Sequence, residues 1–111
     1  MPASIANPEM IDLITFDQTS GEYALIIATA GPWEESEEEK ARLLQKINNY
    51  LRFIIDGDLA AYYPHSYGRP IRIQIDSSAV TPPTIGLLIN QAVEVLLQHG
   101  IRLCINRLAD K

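Results

Sequence analysis

Along the chain the spacing of apolar positions alternates between a period of about two and a period of about 3.6, and these alternations mark out the elements. Met10-Ile11-Asp12-Leu13-Ile14-Thr15-Phe16-Asp17 is β-branched and aromatic and predicts a strand. Gln18-Thr19-Ser20-Gly21 has turn chemistry, so Glu22 to Ala30 predicts the returning strand of a hairpin. That second strand is apolar on both faces, which places it centrally in its sheet with cover on both sides. Gly31-Pro32 then breaks it.

From Ser36 the period becomes helical. Leu43, Leu44, Ile47, Leu51, Ile54 and Ile55 form the apolar stripe, and Lys40, Gln45, Lys46, Asn48, Asn49 and Arg52 fall on the opposite face. Ser36 with Glu39 matches a capping box, and Glu34, Glu35, Glu37, Glu38 and Glu39 crowd the end where the helix dipole favours negative charge. Gly57 suits the position after the helix, Asp58 could cap one further turn through Leu59 to Tyr62, and Pro64 stops it. Tyr62 to Pro70 is an aromatic loop punctuated by Pro and Gly.

Ile71-Arg72-Ile73-Gln74-Ile75-Asp76 alternates without a fault, with isoleucine on one face and polar residues on the other. A second helix opens with Thr81-Pro82-Pro83 in the cap and first-turn slots, carries Ile85, Leu88, Ile89, Ala92, Val93, Leu96 and Leu97, and closes at Gly100. Ile101 to Arg107 repeats the alternation. The order ββαβαβ, with right-handed crossovers stepping in one direction, predicts an α/β (α+β) two-layer sandwich. Its four-stranded mixed sheet has order 1-2-3-4, with two helices mainly on one face. The other face would present Arg72, Gln74, Asp76, Arg102, Cys104 and Asn106 to solvent or to a partner. Residues 1–9 are expected to be a flexible segment before a single domain at 10–111.

Composition narrows the setting. A chain of 111 residues and 12.4 kDa has room for one domain, and 47% hydrophobic with 21% charged residues is ordinary for a globular protein. One cysteine, Cys104, makes no internal disulfide, and the first residues lack a basic leader and an apolar run, so a cytoplasmic location is expected. The longest apolar stretch, Tyr23 to Ala30, is far short of a membrane span. The net charge of −5 speaks against generic nucleic-acid binding. Resolved along the chain, however, residues 1–39 carry −9 with no Lys or Arg, and residues 40–111 carry +4.

Candidate chemistry is sparse. His65, His99 and Cys104 show no zinc-like spacing, and Asp56-Gly57-Asp58 lacks the remaining ligands of a calcium loop. There is no nucleophile elbow, Walker loop or dinucleotide-binding glycine pattern, so no catalytic residue, metal or cofactor is assigned, and the chain is read as leaning away from an enzyme. Three places remain. Trp33, Glu34, Glu35, Glu37 and Glu38 form an acidic patch beside a tryptophan taken as exposed; the simpler reading of the glutamates is a solvated helix cap favoured by the dipole, and the competing one is a surface that steers a basic protein partner. Tyr62, Tyr63, Tyr67 and Arg69 are types common at binding hot spots, or a wet cover for the sheet edge. Asp76, Ser77 and Ser78 lie at the carboxyl ends of the parallel strands, where α/β sheets bind ligands, or merely cap a loop.

The Met10-Ile11-Asp12-Leu13-Ile14 run, Gly31-Pro32-Trp33-Glu34 before the acidic helix start, Asn48-Asn49-Tyr50-Leu51 followed by Asp56-Gly57, and Tyr63-Pro64 before Ile71-Arg72-Ile73 resemble a family of short bacterial proteins of unknown function, over about residues 10 to 98. The resemblance implies a bacterial intracellular protein and supplies no catalytic residue. The leading expectation is a non-enzymatic interaction module, in concrete form a small acidic inhibitor of the immunity or antitoxin kind. The alternatives are a small-ligand binder or minor enzyme at Asp76, Ser77 and Ser78, and a self-assembling subunit that dimerises through the open sheet face or an exposed edge strand.

Overall fold

The computed structural model describes residues 11–29 and 32–108, so the expected N-terminal segment at 1–9 lies outside the described residues. Four strands, β1 (Leu13–Asp17), β2 (Glu22–Ala28), β3 (Ile71–Ser77) and β4 (Ile101–Arg107), form one sheet in the order β1-β2-β3-β4. The first pair is antiparallel and the other two are parallel, in register Leu25↔Ile73↔Leu103. Helices α1 (Glu37–Ile55) and α3 (Pro83–Leu97) make the crossovers, and the short α2 (Asp58–Tyr62) with a 3-10 turn at Pro64–Ser66 leads back to β3. The expected α/β sandwich and strand order are therefore present.

The core lies between one sheet face and the two long helices. Leu25, Ile27, Ile73, Ile75, Ile101 and Leu103 from the strands meet Leu43, Ile47, Tyr50 and Leu51 from α1 and Ile85, Ile89, Ala92 and Leu96 from α3. Strand β2 is central and apolar on both faces, with Ala24 to Ile27 all buried. Gly57 at φ +93° and Gly100 at φ +74° supply the left-handed residues that end α1 and release α3 into β4, as their positions in the sequence suggest.

Three expectations need correction. Lys46, placed by charge on the solvent face of the first helix, is fully buried. The stripe that faces the sheet runs through Leu43, Lys46, Ile47, Tyr50 and Leu51, whereas Leu44 and Ile55 are exposed. The helical period was right and the assumption that a lysine marks solvent was wrong, because a buried carboxylate waits for it. Helix α3 is capped by Pro82 rather than Thr81 and begins at Pro83, since neither proline has an N–H that the first turn would leave unbonded. Asp58 is the first residue of α2 rather than its cap, which is Gly57.

Strand β1 begins at Leu13, three residues later than the apolar run suggests, because Asp12 turns inward. Lys46 Nζ stands 2.8 Å from Asp12 Oδ1, with the two side chains 0% and 1% exposed. The Ala28 N–H donates to Asp12 Oδ2 at 2.9 Å, the Asp12 N–H donates to the Tyr50 hydroxyl, and that hydroxyl donates to the Ile26 carbonyl at 2.7 Å. One carboxylate thus ties the start of β1 to the end of β2 and to the middle of α1. Replacing Lys46 by Met leaves that carboxylate buried without its cation, and urea denaturation should show a loss of about 3–5 kcal/mol. Tyr50→Phe strands the Asp12 N–H and removes one bond to the Ile26 carbonyl, and should cost about 1–3 kcal/mol. Wild-type stability in Lys46→Met would remove the ion pair from the account of how β1 is held.

Candidate functional site

The loop into α1 builds its own geometry around Glu39. Ser36, the N-cap, accepts the Glu39 N–H at 3.0 Å, as the capping box requires. The Glu39 carboxylate does not return to Ser36, however. Its Oε1 accepts the N–H groups of both Glu34 and Glu35 at 2.9 Å. This grip holds Glu35 at φ +61°, a left-handed conformation that costs a non-glycine residue on the order of 1 kcal/mol. From there Glu35 Oε1 accepts the Thr84 hydroxyl at 2.7 Å, so the acidic loop is fastened to the first turn of α3.

The five predicted residues of this patch therefore divide. Glu35 is a tether, and Trp33 is half-buried against the core rather than exposed, its indole N–H finding no acceptor among the described residues. Glu34, Glu37 and Glu38 face solvent. Glu37 and Glu38 pair with Lys40 and Arg42 one turn on, but with side chains 92% and 81% exposed these are weak surface pairs.

The open sheet face carries the polar residues that alternation assigns to it, and they are already engaged with one another. Arg72 Nη1 lies 2.9 Å from Asp17 and 2.8 Å from Glu22, and Arg102 Nη2 lies 2.6 Å from Glu22. To reach β1 from β3, Arg72 crosses β2 and lies over its register partner Ala24. The two guanidiniums hold Glu22 down to about 2 from its ordinary 4.5, with Arg102 the larger cause and Arg72 the next. Asp17 is also lowered, by Arg72 first and then by the Ser20 and Thr19 N–H groups. Cys104 lies on this face too, and burial raises its thiol, which stays protonated near neutrality.

Asp76 and its neighbours are likewise internally bonded. Asp76 Oδ1 accepts from Gln74 and Asn106, Ser77 is buried and its hydroxyl bonds locally to Ala79, and Ser78 is exposed. The three are adjacent in the chain but do not converge. Among the described residues no group of three His, Cys, Asp or Glu side chains is arranged to hold a metal ion.

The aromatic loop splits in two. Tyr62 stacks on Phe53 with centroids 6.3 Å apart, and with Tyr63 it flanks the first half of β1. Together with Ile11, Asp12, Leu13 and Ile14 they line an open cleft of about 490 Å³. Arg69 instead lies over the Phe16 ring at the far end of β1, 5.4 Å from its centroid, and Tyr67 projects into solvent. Sequence reasoning missed this cleft because its walls, Ile11 to Ile14 and Phe53, come from elements predicted separately. It also missed the Asp17–Arg72–Glu22–Arg102 chain, whose members are spread over four strands.

Comparison with known proteins places the chain by sequence alone. The model of a family of unknown function, DUF6572, matches residues 3–109. No curated protein and no solved structure matches. Among the described residues no helix is long and apolar enough to cross a membrane.

The ion pairs of the open face make stability depend on acid. Glu22 has a folded value of about 2 against 4.5 when unpaired, so its contribution is complete above about 4.5 and is lost as pH falls toward 2. Asp17 acts in the same direction. Urea midpoints measured across this range should fall more steeply for the wild type than for Glu22→Gln, in which that titration is absent. Parallel curves for the two proteins would show that the pairs contribute nothing.

Proposed function

The chain belongs to this family of unknown function, and we propose that it acts as a non-enzymatic protein-interaction module that binds a basic partner at the entrance of α1. The observation that supports this is how the charges are shared out. The arginines that make the second part of the chain positive include Arg72 and Arg102, and both are neutralised by Asp17 and Glu22 on the sheet. The exposed acid at the entrance of α1 is Glu34 on the loop braced by Glu39 and by the Glu35 tether to Thr84, with Glu37 and Glu38 on the first turn of the helix, where they make only weak surface pairs with Lys40 and Arg42. Exposed, like-charged side chains on a braced backbone steer an oppositely charged protein toward this surface. An inhibitor of the immunity or antitoxin kind, in the cytoplasm of a bacterial cell, is the concrete form of this reading. The same distribution argues against nucleic acid as partner, because the sheet face that bears Arg72 and Arg102 also bears Asp17, Glu22 and Asp76.

The reading of Asp76, Ser77 and Ser78 as a ligand or enzyme site has less support, since Asp76 and Ser77 spend their hydrogen bonds within the fold. The test reverses the three solvent-facing glutamates, Glu34, Glu37 and Glu38, and leaves Glu35 and Glu39, which brace the loop, intact. Wild type and the Glu34→Lys, Glu37→Lys, Glu38→Lys triple variant, tagged and expressed in the native cell, would be recovered at low salt and eluted in salt steps. A basic protein held by the wild type, released as salt rises and absent from the variant, is the expected result. Equal recovery by both proteins, or no such protein with either, would overturn the acidic interface.

A further inference from the structure

Strand β1 is an edge strand whose outer side has a definite hydrogen-bonding pattern. In β2 the N–H of Tyr23 bonds Pro70 and the N–H of Thr29 bonds Asp76, both toward β3, so odd-numbered residues of β2 face β3 and even-numbered ones face β1. In the register Leu13↔Ile26, Thr15↔Ala24 and Asp17↔Glu22, the β1 residues that bond β2 are then Leu13, Thr15 and Asp17. Ile14 and Phe16 turn their N–H and C=O groups outward. Two outward residues flanking Thr15 are what an identical antiparallel strand needs: Ile14 of each copy meets Phe16 of the other, both bonds of each pair form, and the two Thr15 residues face each other across the axis.

Among the described residues the edge at β1 is only lightly protected, by Arg69 over the Phe16 ring at its far end. Strand β1 contains no proline, lysine or arginine, and Leu13 and Phe16 are 53% and 41% exposed. The other edge, β4, carries Arg102 and Arg107. Charge also favours β1 in a chain of net −5, where self-association is otherwise opposed. Asp12 is neutralised by Lys46 and Asp17 by Arg72, and the exposed Glu34, Glu37 and Glu38 belong to the entrance of α1 and not to this strand. The cleft beside Ile14, walled by Phe53, Tyr62 and Tyr63, adds apolar surface next to the edge.

We propose that two copies of this chain pair β1 to β1, antiparallel about a two-fold axis at Thr15, to make one continuous eight-stranded sheet. Five residues of strand bury less than the roughly 1,200 Å² at which stable interfaces begin, so Leu13, Phe16 and the tyrosines contribute and the dimer dissociates on dilution. This surface is separate from the acidic entrance of α1, and the pairing stands or falls independently of the partner proposed there.

The test is sedimentation velocity on the full chain from about 1 μM to 1 mM, with Thr15 as the probe because its side chain is exposed and its substitution leaves the ladder to β2 intact. Wild type should move from monomer to dimer as concentration rises. Thr15→Lys and Thr15→Glu should each remain monomeric, since like charges directly opposite repel, and an equimolar mixture of the two should dimerise. In a Cys104→Ser background, Thr15→Cys should form a covalent dimer on mild oxidation, because Cα atoms of such facing pairs lie about 4.5 Å apart, within disulfide range. Ser78→Cys in that background should not. A wild type that is monomeric throughout, or a dimer that survives in both charged variants, would overturn the pairing.

Discussion

The buried carboxylate of Asp12 is the constraint on which the rest of the structure depends. An ionised group at 1% exposure is tolerable only with a cation and hydrogen-bond donors around it, and Lys46 and the Ala28 N–H provide both. Satisfying it fixes three things together. Asp12, just before β1, is held against α1, β1 starts at Leu13 with one register against β2, and α1 must turn the face bearing Lys46 and Tyr50 toward the sheet. A slip of β1 by one residue would carry Asp12 to the other face and leave Lys46 buried without it. An apolar substitute could match the packing, but it would not choose between registers so sharply.

The same economy governs the open face. Arg72 reaches across β2 to Asp17 while sharing Glu22 with Arg102, so four side chains from four strands form one chain of charge over the first rows of the sheet. Asp76, Gln74 and Asn106 repeat the arrangement at the other end with neutral donors. The face is therefore polar without being strongly charged. Outside these networks lie the exposed glutamates at the entrance of α1 and the outward-facing backbone of the β1 edge.

Much of this organisation is legible from residues. Alternation identified β3 and β4 to within a residue, because each is buried on one face and the pattern has no other cause. Ser36 with Glu39 located the start of α1, although the carboxylate of Glu39 serves Glu34 and Glu35 instead of Ser36. The candidate patches were less legible. Trp33 looked exposed because its neighbours are glutamates, and only the packing of α1 on the sheet shows that its ring leans on the core. Tyr62 and Tyr63 were grouped with Tyr67 and Arg69 by proximity in sequence, yet they flank opposite ends of β1.

The sequence by itself determined the element order, the central place of β2, the helix stops at Gly57 and Gly100 and the uneven distribution of charge, since each follows from local periodicity, backbone preference or simple count. Only the tertiary structure decided which charges are free. Lys46 looks like any surface lysine and is buried, Arg72 and Arg102 look like a basic face and are neutralised, and Ile14 and Phe16 look like ordinary strand residues yet hold the unpaired edge. The reason is physical: whether a polar group is spent depends on a partner tens of residues away, 34 for Lys46 and 80 for Arg102, and no local pattern records that distance.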